Sequence, residues 1–147
     1  MRALIQRVSQ ANVKIDEKII SEIKQGLLVL VCAMADDTEI EAEQMASKIS
    51  KIRIFNDENG KMNKSIKDIE GEALVVSQFT LAADTSRGNR PGFSYAAHPE
   101  KGEKLYEYFT TKLQDMDIKC KMGVFGGDME VSLINNGPTT IWLDNKD

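Results

Sequence analysis

The stretch Ser77-Gln78-Phe79-Thr80-Leu81 ends a strongly apolar segment with polar side chains, just before the chain enters a long polar region. Functional sites are often built where a strand end feeds a loop. The backbone N–H groups of Phe79 and Thr80 could donate to an oxyanion, and the Thr80 hydroxyl could position a substrate oxygen. The alternative is that Ser77 and Thr80 only satisfy local hydrogen bonds at the strand end.

A second unusual stretch is NNGPTT, residues 135–140, which interrupts a strand-like pattern that extends to Leu143. Proline has no N–H for a sheet ladder, and the glycine before it can adopt conformations closed to other residues. Gly137-Pro138 is therefore either an ordinary turn or a rigid piece of backbone aimed at a ligand. From this stretch alone the turn is favoured, because Asn, Gly and Pro are the usual turn residues.

The loop SRGNRPGFSY, residues 86–95, places two arginines among glycines and aromatic residues. Arg87 and Arg90 could pair with phosphates, and Phe93 and Tyr95 could stack on bases, which together would suit a single-stranded RNA end. A solvated flexible loop is the other interpretation.

Familiar catalytic patterns are absent from the sequence. His98 is the one histidine, and its place before Pro99 suits a helix cap or a surface position. No nucleophile elbow, Cys-His signature or phosphate-binding glycine loop occurs. Cys32 and Cys120 lie far apart in apolar surroundings and are expected to be reduced core thiols. We expect no metal site and no cofactor.

The chain of 147 residues fits a single domain, residues 1–147, that can bury a sizeable core. Its net charge of −4 does not indicate a nucleic-acid binder, although a local basic patch can still steer a polyanion. No apolar run approaches the roughly 20 residues of a membrane helix, and the N-terminus lacks a signal-peptide core. We therefore expect a cytoplasmic protein without a membrane association.

Hydrophobic periodicity predicts an α+β domain. Residues 2–15 and 19–24 favour a first hairpin, and the apolar run that follows Gly26 favours a strand buried on both faces. A capping box at Thr38 opens an amphipathic helix, and Pro99 opens a second one that extends to about residue 116. Further strands are predicted at 72–81, 118–125, 129–133 and 139–144. We expect a mostly antiparallel sheet, closed as a small β-barrel, with both helices packed on it.

Together, SQFTL at 77–81 and NNGPTT at 135–140 resemble the two signature motifs of the D-aminoacyl-tRNA deacylases, SQFTL and NxGPVT. The opening MRALIQRV, the loop RGNRPGF and the segment PEKGEKLYEYF are also similar to that family in order and spacing. The resemblance therefore covers essentially the full chain.

The resemblance implies an activity and an assembly. The family hydrolyses the ester that joins a D-amino acid to the 3′-terminal ribose of tRNA, and it also clears glycine from mischarged tRNA. It works without a metal, as a homodimer with two sites at the subunit interface. In that family the Gly-Pro bond is cis and reaches into the neighbouring subunit's site, where it excludes an L side chain.

The resemblance also implies roles for particular residues. Ser77, Gln78, Phe79 and Thr80 would form the catalytic motif, with the tRNA's own 2′-OH assisting and the Phe79 and Thr80 backbone supplying oxyanion donors. A nucleophilic Thr80 hydroxyl ranks second, because it needs an adjacent base and none is evident. The substrate-binding residues would be Gln6, Arg7, Asn135, Gly137 and Pro138.

The sequence departs from the family signature at one position, and two alternative functions remain open. Thr139 occupies the position where the signature has Val. A related branch that clears L-alanine from mischarged tRNA carries PQATL in its first motif, so Ser77 and Phe79 favour the D-specific form. The alternative from another class is a dimeric module that binds RNA ends or D-amino acids without turnover.

Overall fold

The computed structural model describes residues 1–146, and that part of the chain contains eight strands and two α-helices. A short 3₁₀-helix, Phe79–Ala82, lies between β6 and α2. The elements are β1 Arg2–Ile15, β2 Lys18–Ile23, β3 Gly26–Cys32, α1 Glu39–Lys51, β4 Phe55–Asn56, β5 Met62–Lys64, β6 Glu72–Ser77, α2 Pro99–Asp115, β7 Lys119–Met122 and β8 Glu130–Asp144.

The main sheet has six strands in the order β2-β1-β3-β6-β7, and β8 also pairs with β1. β1 is antiparallel to β2, β3 and β8, whereas β6 is parallel to β3 and to β7. Parallel neighbours need a crossover connection, and α1 and α2 lie in the two crossovers. The predicted α+β class is confirmed, and its sheet is mixed.

The sheet is nearly closed because β1 is long enough to pair with both β3 and β2 along the same edge. Residues 2–8 pair with β3, and residues 11–15 pair with β2. The sheet then curls until β2 approaches β7, where the Ser21 hydroxyl donates to the Met122 carbonyl. This near closure agrees with the predicted small barrel.

Alternate residues of β3 contribute to two different hydrophobic clusters. Leu27, Val29 and Val31 belong to the cluster that includes α1 and α2. Leu28 belongs to a second cluster, formed largely by β1, β6 and the start of β8, and Leu30 packs against it. The apolar run after Gly26 is therefore buried on both faces, as predicted.

Both helices begin where the sequence predicts. At the start of α1 the Thr38 hydroxyl accepts from the Ile40 N–H at 3.2 Å, and the Glu41 carboxylate accepts from the Thr38 N–H at 2.7 Å. These two bonds are the predicted capping box. Pro99 opens α2, which buries Phe109 and Leu113. Neither helix within residues 1–146 is long and apolar enough to span a membrane.

Two predictions about local structure need correction, and one hairpin was missed. The strand predicted at 72–81 ends at Ser77, and residues 79–82 form the 3₁₀-helix. The two strands predicted at 129–133 and 139–144 are one strand, β8, with a shifted register against β1 where the Gly-Pro pair lies. The turn at residues 57–60 joins β4 to β5, a small hairpin that the sequence did not predict.

The capping box makes a prediction about the pH dependence of stability. Hydrogen bonds from Thr38 lower the pKa of the Glu41 carboxyl from 4.5 to about 2. The stabilisation that this pairing supplies is present above the ordinary pKa of 4.5 and is lost as the pH falls towards 2. Thr38→Val should therefore lower the free energy of unfolding at neutral pH. In urea denaturation, the difference in this free energy between the variant and wild type should become smaller as the pH falls over that acid range.

A matched control is Ser50→Ala, because the Ser50 hydroxyl donates to the Ser47 carbonyl on the same helix. Its effect on stability should not change with pH. A Thr38→Val difference that stayed constant between pH 4.5 and 2 would contradict the role assigned to the Glu41 carboxylate.

Candidate active site

The Ser77–Thr80 motif lies where the chain leaves β6. The Gln78 N–H still donates to the Val31 carbonyl of β3 at 2.8 Å, and the Leu81 N–H then donates to the Gln78 carbonyl at 3.2 Å as the 3₁₀-helix begins. The first N–H groups of a helix have no partner within it. Among residues 1–146, the backbone N–H groups of Phe79 and Thr80 have no acceptor. Two adjacent donors are therefore available to a ligand.

A cleft of about 740 Å³ opens beside this motif, a volume suited to a small ligand. The Phe79 side chain is 58% exposed, and its ring meets Phe93 edge to face with the centroids 5.0 Å apart. The cleft is predominantly apolar and aromatic, with a few polar groups. Its lining includes Ser77, Gln78, Phe79, Phe93, His98 and Met129.

The paired ends of β1 and β8 hold the 3₁₀-helix in place through Arg2. Its Nη1 donates to the Leu81 carbonyl at 2.9 Å, and its Nε pairs with the Asp144 carboxylate at 3.1 Å. The Arg2 guanidinium also lies 5.7 Å from the centroid of the Trp142 ring. The first residue of β1 and the last residue of β8 thus position the segment that carries the free N–H groups.

The side chains of the motif do not form a nucleophile and base. The Thr80 hydroxyl accepts from the Gln78 amide, and no described residue accepts its proton. The nearby Cys32 thiol is buried, and burial raises its pKa to about 11, so it is protonated at neutral pH. The chemistry available here is oxyanion binding by the backbone.

His98 lines the same cleft and is exposed. It occupies the N-cap position of α2, but its side chain makes no capping hydrogen bond. The sequence-based interpretation of His98 as a helix-cap or surface residue is therefore confirmed, since His98 is both the N-cap of α2 and exposed. Within residues 1–146, no three His, Cys, Asp or Glu residues are grouped as metal ligands.

The second motif forms a bulge in β8 opposite Arg7. β1 pairs Gln6 with Thr140 and Val8 with Asn135, so the residues between them leave the regular ladder. The Asn135 amide closes this bulge by donating to the Arg7 carbonyl at 3.0 Å and to the Thr139 carbonyl at 2.9 Å. One side chain thus holds both sides of the Gly-Pro segment.

The buried Arg7 side chain supports the bulge. Its guanidinium donates to the Ile54 carbonyl at 2.7 Å and to the Asn136 carbonyl at 3.3 Å. Among the described residues Arg7 makes no ion pair. Backbone carbonyls therefore take the place of water around the buried guanidinium. These hydrogen bonds also fix the position of the carbonyls.

The Gly137-Pro138 bond is cis, and both residues are exposed. Gly137 has a φ of +120°, a region that L side chains rarely adopt. An added Cβ would lie 2.8 Å from Arg7 Nη2 and 2.7 Å from Thr139 Oγ1. Thr139, which departs from the signature, is buried beside Gly137 and does not line the exposed tip.

Gln6 completes this second cluster. Its amide nitrogen lies 3.2 Å from the Thr140 hydroxyl and 3.4 Å from Asn135 Oδ1. The residues predicted to bind substrate are therefore neighbours in the structure: Gln6, Arg7, Asn135, Gly137 and Pro138.

Within one chain the two motifs are not neighbours. Arg7 lies opposite Leu27 of β3 and hence Ala73 of β6, whereas the first motif begins at Ser77. Four residues along a strand span about 13 Å. A separate cleft of about 300 Å³ adjoins Arg7 and Asn136, and its lining shares no residue with the larger cleft.

The fold and the site together define a small α+β protein whose candidate active site consists of backbone donors at a strand end. The chain belongs to the D-Tyr-tRNA(Tyr) deacylase family, whose model matches residues 4–144. A D-aminoacyl-tRNA deacylase from Ruegeria pomeroyi is 60% identical over 98% of this chain and 99% of its own. One from Thermotoga petrophila is 54% identical over 99% of this chain and 97% of its own.

Two solved structures have the same fold. The c-Myc DNA Unwinding Element Binding Protein is 40% identical, with a TM-score of 0.93 over 98% of both chains. A probable eukaryotic D-amino acid tRNA deacylase gives a TM-score of 0.83 over 97% of both chains. Its identity of 16% means that this second likeness concerns the fold alone.

The buried Arg7 side chain leads to a prediction about stability. Arg7→Met keeps much of the side-chain volume but removes the donors to the Ile54 and Asn136 carbonyls. Leaving buried polar groups unpaired costs about 1–3 kcal/mol, so the free energy of unfolding should fall by about that amount in urea denaturation. The control is Arg53→Met, because Arg53 is exposed and donates to the Asn63 carbonyl. Equal losses in the two variants would contradict a special role for Arg7.

Proposed function

We propose that this chain hydrolyses the ester bond of D-aminoacyl-tRNA and of mischarged glycyl-tRNA, releasing the free amino acid and tRNA. The observation that carries the proposal is the pair of unpartnered N–H groups at Phe79 and Thr80, beside a cleft of about 740 Å³, in a member of this family. Backbone donors aimed at a developing oxyanion are an effective device for ester hydrolysis.

Water is the attacking group in this proposal, because attack by the vicinal ribose hydroxyl would only move the acyl group from one ribose oxygen to the other. The ribose 2′-OH next to the ester assists the reaction, while the protein holds the ester carbonyl against the Phe79 and Thr80 N–H groups. The Gln78 amide and the Thr80 hydroxyl are bonded to each other and orient the bound ribose. Ser77 ends β6 and lines the cleft, so it helps to place the substrate at the strand end.

Each active site in the proposal is built from two subunits of a homodimer. The Gly137-Pro138 segment of one subunit enters the cleft of its partner, because within one chain it lies well away from Ser77–Thr80. Two exposed apolar side chains of β8, Ile134 and Trp142, flank this segment in sequence. A partner that covered them would remove apolar area from water.

A backbone segment is a suitable filter for chirality. The Gly137 and Pro138 carbonyls would bind the substrate's amino group. Arg7 and Asn135 hold this segment by donating to the flanking carbonyls of Asn136 and Thr139. An L side chain would then meet the main chain, whereas a D side chain or the hydrogen of glycine would point away. Backbone fixed on both sides has no rotamer that can move aside, so it rejects by steric clash more strongly than a hydrophobic pocket, which separates substrates by only about 1–3 kcal/mol per methylene.

The direct test compares hydrolysis of D-Tyr-tRNA, L-Tyr-tRNA and Gly-tRNA by the purified protein, each on tRNA ending in ribose or in 2′-deoxyribose. We expect rapid loss of the D-tyrosyl and glycyl esters and slow loss of the L-tyrosyl ester. The 2′-deoxy end should abolish turnover, because the assisting hydroxyl is missing. Hydrolysis of L-alanyl-tRNA instead would indicate the related editing branch, and tight binding without turnover would indicate a binding module.

The two-subunit site predicts that two inactive variants will complement each other. Phe79→Pro removes one proposed oxyanion donor, and removal of such a donor costs about 10²–10³-fold in kcat. Gly137→Val displaces the Gly-Pro segment through its clash with Arg7 and Thr139. Random mixing after denaturation and refolding should restore about a quarter of wild-type activity, since half the dimers would carry one intact site of two.

Phe79→Leu is the matched control, because it keeps the N–H and removes the ring. It should retain much more activity than Phe79→Pro. If the mixture stayed inactive although both variants were folded by circular dichroism, each site would lie within one subunit.

A further inference from the structure

The loop that follows the 3₁₀-helix carries two arginines near the larger cleft. Residues 85–99 include Arg87 and Arg90 and no carboxylate, in a chain whose net charge is −4. Both arginines are exposed, and among residues 1–146 neither takes part in an ion pair. Two positive charges therefore remain available to a ligand outside the cleft.

This loop is held in a defined place. Asp84 and Gly92 exchange backbone hydrogen bonds of 2.8 and 2.9 Å, so residues 84–92 form a hairpin. The Asp84 carboxylate is occupied by the N–H and hydroxyl of Ser86 at the base of this hairpin. The hairpin therefore presents its arginines without a competing carboxylate at the tip.

Both ends of the 84–92 hairpin join the walls of the cleft. It begins two residues after the 3₁₀-helix ends at Ala82, and it is followed at once by Phe93, whose ring contacts Phe79. Arg90 lies three residues from Phe93, a span of at most about 10 Å of extended chain. Arg90 thus lies near the rim of the cleft that is proposed to hold the terminal nucleotide, and Arg87 belongs to the same hairpin.

We infer that the 84–92 hairpin binds the phosphates of the single-stranded 3′ end of tRNA, next to the terminal nucleotide. This inference rests on the proposed function. Arginine pairs with phosphate through a planar fork of donors, and such contacts position a nucleic acid without reading its sequence. A clamp of this kind suits an enzyme that must accept many tRNAs, and on an acidic protein a local basic patch is needed to attract a polyanion.

The test is the double variant Arg87→Gln/Arg90→Gln, which removes two charges from the hairpin. The matched control is Lys48→Gln/Lys51→Gln, which removes two exposed charges from α1. With D-Tyr-tRNA, the hairpin variant should raise KM by roughly tenfold while kcat stays near the wild-type value, because phosphate contacts supply uniform binding. The slope of log KM against log salt should fall by about 1.4, the value for two single-strand phosphate contacts.

A substrate without phosphates separates this role from a structural one. With D-tyrosyl-adenosine, the hairpin variant and wild type should have the same KM and kcat. Arg87→Lys/Arg90→Lys should recover part of the affinity for D-Tyr-tRNA, since it retains the charges. An unchanged KM for D-Tyr-tRNA, an equal loss on D-tyrosyl-adenosine, or an equal loss in the Lys48/Lys51 control would each overturn the inference.

Binding of uncharged tRNA, measured by fluorescence anisotropy, distinguishes failure of this inference from failure of the proposed function. If wild type hydrolysed no ester but the hairpin variant still lost affinity for tRNA, the proposed function would fail and the phosphate site would stand. Trimming the single-stranded 3′ nucleotides from the tRNA should remove the difference between the variant and wild type. An affinity that the Arg87/Arg90 substitutions left unchanged would overturn the phosphate site.

Discussion

The antiparallel pairing of β1 with β8 is the constraint on which the rest of the structure depends. The pairing extends from Arg2 opposite Asp144 to Lys14 opposite Glu130, and within these described strands its register shifts between Gln6 and Val8 and again between Val8 and Gln10. At its outer end it brings the Arg2 guanidinium to the Leu81 carbonyl, which holds the 3₁₀-helix. Where the ladder is interrupted, Gly137 and Pro138 project out of the strand. One ladder thus sets the position of both motifs.

The bulge is maintained by satisfied polar groups at a buried site. A guanidinium that is removed from water without partners is costly, and Arg7 meets that cost by donating to the backbone carbonyls of Ile54 and Asn136. Asn135 satisfies the carbonyls of Arg7 and Thr139. The segment is exposed at its tip and anchored at its base, which is the arrangement that a rigid recognition element requires.

The larger cleft depends on a different device, the change from strand to 3₁₀-helix after Ser77. In a continued strand, alternate N–H groups would be committed to the sheet ladder. The turn into the 3₁₀-helix leaves two consecutive N–H groups free, at Phe79 and Thr80. The Phe79 ring then lies against Phe93, so the hairpin at 84–92 is tied to the same wall of the cleft. The Phe79–Phe93 contact therefore connects the proposed oxyanion donors to the hairpin that is proposed to bind RNA.

Much of the fold was predictable because local patterns agree with it. The capping box at Thr38, the proline that opens α2 and the two-faced burial of β3 all follow from local sequence. The 3₁₀-helix at Phe79 and the continuity of β8 through Pro138 were missed. Both depend on partners far away in sequence, since Arg2 holds Leu81 and Arg7 holds Asn136.

The sequence by itself determined the α+β class, the helix boundaries and the identity of the two motifs, because these depend on side-chain periodicity, caps and short-range residue types. Only the tertiary structure decided that Gln6, Arg7 and Asn135 support the Gly-Pro segment, and that this segment lies apart from Ser77–Thr80 in one chain. The physical reason is that strand pairing and register join residues more than a hundred positions apart, and no local pattern specifies which ends of the sheet the two motifs reach.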